Sequence, residues 1–83
     1  MFMAYSVYVL ESQKSGLRYI GFAENATKRL QEHNAGKTPS TKNKGPWEIV
    51  YLEHFRTKIL AEKRERFFKT GRGKEVLKNL IGA

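Results

Sequence analysis

Five side chains stand out for their chemistry: Tyr8, Tyr19, Arg29, His33 and Glu65. Phenols and imidazoles can orient a water or move its proton. A guanidinium offers a planar fork that suits phosphate oxygens, and a carboxylate can hold a hard cation. Cleavage of a phosphodiester calls on such groups together, because it needs an activated water, stabilised charge on phosphorus and help for the departing oxygen. Each residue alone has a commonplace alternative. A strand tyrosine usually packs, a helix arginine is usually solvated, and a histidine near a helix end complements the dipole. Glu65 can form a weak surface ion pair with Lys69, its i+4 neighbour.

The elements that carry these residues can be read from pattern. "YSVYVL" (5–10) is β-branched and aromatic, as a strand should be, and "SQKSG" supplies a turn in which Gly16 can take positive φ. "LRYIGF" (17–22) then returns as the second strand of a hairpin. Alternation sets Tyr8 with Ser6 and Leu10 on one face, and Val7 with Val9 on the other. Gly21 is costly inside a strand unless something must approach it, so it is a structural candidate. "ENATKRLQEHNAG" (24–36) predicts a helix capped by Asn25 and closed by Gly36, with Arg29 and His33 four apart on one face.

"KTPSTKNKGP" (37–46) has no hydrophobic residue and reads as a loop. "WEIVYLEHF" (47–55) reads as the strongest strand and is expected inside the layers, with Ile49, Tyr51 and Phe55 facing one way and Val50 and Leu52 the other. "TKILAEKRERFFK" (57–69) predicts a helix capped by Thr57, with Leu60, Ala61, Arg64, Phe67 and Phe68 in one stripe. "TGRG" (70–73) is expected to break it, and "KEVLKNLI" (74–81) to resume with Val76, Leu77, Leu80 and Ile81 on one face. The order ββαβαα implies an α+β fold, a three-stranded antiparallel sheet packed with helices, in a single domain over 1–83.

Composition narrows the function class. The net charge is +8, from sixteen Lys and Arg against eight acids, which favours a polyanionic partner. Nine basic residues and three glutamates fall between Arg56 and Lys78, and Lys37, Lys42 and Lys44 form a second basic group in the loop. Every acid is Glu, and the scatter of eight glutamates argues against a carboxylate-rich two-metal centre. No cysteine is present, which rules out disulfides and cysteine zinc sites and agrees with a cytoplasmic setting. No run approaches membrane-spanning length, and the start lacks a signal-peptide pattern.

Taken together, the residues resemble the GIY-YIG endonuclease superfamily. "SVY" (6–8) stands for the first signature and "YIG" (19–21) is the second letter for letter, with ten residues between Tyr8 and Tyr19. The family's arginine falls on Arg29 in "ATKRLQEHN" and its metal-binding glutamate on Glu65 in "AEKRERFFKTGRG". The loop "STKNKGPWEIVY" and tail "KTGRGKEVLK" are typical of small stand-alone bacterial members, which look like the nuclease module of the excision-repair incision subunit. Ser6 replaces the first glycine, and the asparagine that many members carry near the domain end is not matched to Asn79.

The resemblance implies a metal-dependent DNA endonuclease acting in repair or recombination. Glu65 would hold a single Mg²⁺ or Mn²⁺, largely hydrated, and Arg29 would contact the scissile phosphate. Tyr8 would act as general base or position the water, its pKa brought down from about 10 by nearby positive charge. Tyr19 would hydrogen-bond water or phosphate, and His33 would assist proton transfer. Lys42, Lys44, Lys63, Arg64, Lys69 and Arg72 are candidates for nucleic-acid contact. The alternative is a module of the same fold that binds nucleic acid and cuts nothing. DNA is the expected partner, with RNA as second candidate, no membrane, and a monomer by default.

Overall fold

The structure, a computed structural model, describes residues 3–82. The order is β1 (Tyr5–Ser12), β2 (Arg18–Ala23), α1 (Ala26–Asn34), β3 (Trp47–Phe55), α2 (Lys58–Phe68) and α3 (Gly71–Ile81). The strands form one antiparallel sheet in the order β2-β1-β3. This is the α+β arrangement that the sequence pattern implies.

β1 is the central strand, which corrects the expectation for β3. Residues Ser6 to Leu10 are all buried, because each face of β1 meets its own core. Val7 and Val9 pack with Ala61, Phe68 and Leu77 of α2 and α3. Tyr8 and Leu10 pack on the other side with Ala26 of α1 and Trp47. β3 is an edge strand, and a bulge breaks its alternation. Val9 pairs with Tyr51 and Leu10 with Ile49, so Val50 is the extra residue. Ile49 therefore joins the Tyr8 side, while Val50, Tyr51 and Phe55 pack on the Val7 side.

The helix ends follow local chemistry. Asn25 accepts from the Lys28 N–H and Thr57 from the Leu60 N–H, as N-caps do. Gly36, at φ 76°, follows the end of α1. The "TGRG" stretch does more than break a helix: Thr70 caps α3, accepting from the Gly73 N–H, and Gly71 to Gly73 form its first turn. A Cβ at Gly73 would run into the Phe67 carbonyl, so glycine lets α3 start directly against the end of α2. Leu60 and Leu80, placed in the apolar stripes by spacing, are exposed; Ala61, Phe68 and Leu77 supply the buried contacts.

The 37–46 loop is tied down by side chains from three directions. The Ser12 hydroxyl donates to the Lys44 carbonyl at 2.6 Å. Asn34 accepts from the Trp47 N–H at 2.7 Å and donates to its carbonyl at 3.1 Å. The Trp47 indole N–H donates to the Thr41 carbonyl at 3.2 Å.

Candidate active site

Tyr8 comes from the most protected strand and pairs directly across from Gly21. Its ring lies over that glycine. A Cβ at 21 would stand 2.5 Å from the phenol oxygen and 2.7 Å from the ring carbon that bears it. The sequence marks Gly21 as a place of close approach, and the occupant of that space is Tyr8 itself. With the gap open, the Tyr8 hydroxyl reaches Nε2 of His33 at 3.2 Å.

His33 is 1 % exposed and uses both ring nitrogens. Its Nδ1 lies 2.7 Å from Oγ1 of Thr41, which in turn lies 3.4 Å from the Thr38 carbonyl. A carbonyl only accepts, so the Thr41 O–H donates to Thr38 and its oxygen accepts from Nδ1–H. Nε2 is then left as the acceptor for the Tyr8 O–H. Burial, followed by the Arg29 charge, lowers the His33 pKa, against an opposing pull from Glu32. The imidazole is neutral at pH 7 and presents a lone pair to the phenol.

Burial also dominates at Tyr8 and raises its pKa. The nearby Arg29 guanidinium acts the other way, while Tyr19 and Glu65 add to the rise. Nearby positive charge was expected to bring this phenol down towards neutrality; in the free protein desolvation outweighs it. Tyr8 is a protonated donor into Nε2.

The remaining candidates surround this pair. The Tyr19 ring is 4.8 Å from the His33 ring and 6.5 Å from the Tyr8 ring, centroid to centroid. Arg29 is held by Glu32, Nη1 to Oε1 at 2.8 Å. Its own pKa is raised, first by the nearby Tyr8 hydroxyl and then by Glu32. Glu65 approaches from α2 with only 19 % of its side chain exposed, and Lys69 holds its Oε2 at 3.2 Å. The helix-surface pair read from the i+4 spacing thus exists, yet Glu65 also acts on the Tyr8 phenol. Among the described residues no cluster of three or more His, Cys, Asp or Glu could hold a metal. A lone shielded carboxylate suits a hydrated hard cation that takes its other ligands from water and phosphate.

The residues proposed for nucleic-acid contact lie in different settings. Lys42 lines a cavity of about 610 Å³ together with His33 and Thr41. Lys44, Lys63, Lys69 and Arg72 are exposed. Arg64 is engaged elsewhere: its Nε donates to Glu53 at 2.8 Å, and its guanidinium lies 4.5 Å from the Phe68 ring centre. Asn79 is exposed on α3. Sequence reasoning passed over Thr41 and Glu32. Glu32 was findable, three residues after Arg29 on the same helix face. Thr41 had no sequence signal, because its partnership with His33 depends on how the loop folds back.

Comparison with known proteins agrees with the fold. The sequence profile of the GIY-YIG catalytic domain matches residues 4–79. A UPF0213 protein of Staphylococcus saprophyticus is 40 % identical over 65 residues, covering 77 % of this chain and 78 % of that protein. The human structure-specific endonuclease subunit SLX1 is 37 % identical over 57 residues, which cover 64 % of this chain and 21 % of that protein. The chain thus spans about a fifth of the length of the SLX1 relatives it matches. The solution NMR structure of a UPF0213 protein from Bacillus halodurans aligns with a TM-score of 0.57 and 32 % identity, covering 95 % of this chain and 86 % of that one.

Proposed function

The chain belongs to the GIY-YIG catalytic-domain family, and from that premise we propose that it is a divalent-metal-dependent endonuclease hydrolysing phosphodiester bonds of DNA. The observation that carries this reading is one buried chain of hydrogen bonds, Tyr8 to His33 to Thr41, with the Tyr19 ring set against His33 and the Arg29 charge beside the phenol. A buried phenol needs one hydrogen-bond partner, which His33 supplies; the guanidinium charge beside it is more than packing calls for.

The residues divide the work as follows. Glu65 would hold a Mg²⁺ or Mn²⁺, which supplies charge stabilisation at the phosphoryl oxygens. Arg29 turns its fork from Glu32 to the scissile phosphate, where charge builds up. Tyr19 hydrogen-bonds the water or the phosphate. The attacking water gives its proton to the Tyr8 oxygen while the Tyr8 proton passes to Nε2 of His33; as the new P–O bond forms, the bond from phosphorus to the departing oxygen breaks, and that oxygen takes a proton from solvent. The phenol therefore relays a proton and need never exist as free phenolate, which resolves the conflict between its raised pKa and its role. Lys42, Lys44, Lys63, Lys69 and Arg72 add sequence-independent attraction for the backbone. Arg64 is left out because its guanidinium is stacked on Phe68 as well as paired with Glu53. Among the described residues no helix is long and apolar enough to cross a membrane. The structure-specific endonuclease subunits among its relatives support a setting in repair or recombination.

Nicking of supercoiled plasmid or branched DNA with Mg²⁺ or Mn²⁺ tests the reading. Tyr8→Phe, Arg29→Ala and Glu65→Gln should each lower the rate by about 10²-fold or more, the usual loss when one transition-state contact is removed. A module that only binds would show no nicking, and Glu65→Gln would leave its affinity unchanged.

A further inference from the structure

The open β2 edge of the sheet carries a groove that the reaction chemistry above does not use. Two adjoining cavities, of about 250 and 310 Å³, lie between β2 and α3, with Lys69 just past the end of α2. Arg18, Ile20 and Lys74 line both, so the two share a wall and lie side by side. The groove's near end is walled by Tyr19 and by Lys69, the partner of Glu65. Its far end runs to Leu77 and Lys78. Leu77 is buried and Ile20 half-buried, whereas Arg18, Lys69, Lys74 and Lys78 are exposed. An aliphatic floor thus lies under a cationic rim. Among the described residues no carboxylate lines either cavity.

Stability alone does not account for these cations. α3 has no acidic residue in its first turn, where the helix dipole favours one, and Lys74 stands close to that positive end. Lys74 and Lys78 are also like charges at i,i+4, an unfavourable pair. Lys78, in the last turn, suits the dipole, but Lys74 stands against the local field, and a polyanion that the same field attracts explains it. Arg18 pairs with Glu11 at 3.0 Å, but the pair is solvent-accessible and easily exchanged for a phosphate.

We propose that this groove takes an unpaired stretch of the nucleic-acid strand leading away from the scissile phosphate. Phosphates lie on Arg18, Lys74 and Lys78, and bases lie against Ile20 and Leu77. A duplex keeps its base faces stacked inside and could offer the rim only its backbone. An unpaired strand offers both phosphates and base faces, which is what a charged rim over an apolar floor recognises. The placement of the groove relative to the reaction rests on the nuclease reading; the groove itself does not.

The test is fluorescence anisotropy without divalent ion, so that nothing is cut, using a single-stranded DNA oligonucleotide and a blunt duplex of the same sequence. For Lys74→Gln/Lys78→Gln, single-strand affinity should fall about tenfold and the salt slope by about 1.4, from two contacts at about 0.7 each. Duplex affinity should change by less than about twofold, since its backbone has other cations to meet. Lys14→Gln removes an exposed cation in the β1–β2 turn, outside the groove, and should leave the preference for single strand as in the wild type. Equal losses on both DNAs, or no loss on the single strand, in a variant with a native circular dichroism spectrum would overturn the proposal. Either result leaves the nuclease reading standing. A protein that cuts nothing but shows the selective loss would refute the nuclease reading and keep the groove.

Discussion

Replacing Gly21 with alanine sets two physical effects against each other, and the sign of the outcome decides between them. Gly21 does not have positive φ, so by backbone entropy alone Ala in this strand should stabilise the protein by about 0.4–1 kcal/mol. The new methyl, however, would sit 2.5 Å from the Tyr8 oxygen, and ordinary contact begins near 3.4 Å. The phenol must therefore move by about 0.9 Å, the difference between those two distances. Tyr8 is 1 % exposed and its hydroxyl is held by His33, so it has no free direction to take. Overpacking of this kind costs about 1–3 kcal/mol. For a domain of this size each kcal/mol lowers Tm by about 4–8 °C. A displacement near 1 Å at a reacting group can also lower the rate by about 10²-fold. Thermal melts and plasmid nicking measure both effects. A double-mutant cycle isolates the cause: in a Tyr8→Ala background the Gly21→Ala penalty should vanish, a coupling of about 1–3 kcal/mol. A Gly21→Ala protein with raised Tm and full nicking rate would refute the packing argument and the site built on it.

Thr41→Val removes the acceptor for Nδ1–H of His33 and should lower the nicking rate, with Thr41→Ser restoring most of it. Imidazole ¹⁵N shifts should show His33 as the Nδ1–H tautomer in wild type and a mixture in the valine variant. Below about pH 6.5 the unfolded chain protonates His33 while the folded chain, with its lowered pKa, resists. Stability should therefore fall as pH drops below about 6.5, and His33→Asn should flatten that part of the Tm–pH profile. The raised Tyr8 pKa works at the other end: above about pH 10 the unfolded phenol ionises first, so stability should fall again as pH rises. Arg64→Ala should cost about 1–3 kcal/mol by thermal denaturation, since it strips Glu53 of its charged partner and Phe68 of its cover, whereas Lys63→Ala should change stability by less than about 0.5 kcal/mol.

Local signals in the chain were strong where one residue's chemistry settles the outcome. Asn25 and Thr57 cap helices as their types suggest, and Gly36 follows α1 at positive φ. The alternation in β1 sorts Tyr8 from Val7 and Val9 correctly, because β1 is regular. β3 misled because one bulged residue flips the faces on either side, and nothing in "WEIVY" marks Val50 as the extra one. Its apolar character on both faces places it within the layers, and it does feed both cores, but as an edge strand, because sheet order is a property of the whole topology. At the site, spacing within α1 joined Arg29 to His33. The hydroxyl that orients His33 comes from a loop eight residues on, tied back by Ser12, Asn34 and Trp47. The reduced basicity of His33 and the raised pKa of Tyr8 both follow from burial, which sequence pattern does not quantify.

The hydrolytic centre can be put to trial most directly by single-turnover cleavage of a panel of structured DNAs in H₂¹⁸O with Mg²⁺ or Mn²⁺. Water attack at a centre built on Tyr8, His33, Arg29 and Glu65 should place one ¹⁸O in the terminal phosphate of the product, with that product lost in Glu65→Gln and Tyr8→Phe. Folded wild-type protein that cleaves none of the panel, or variants that cleave as fast as wild type, would contradict it.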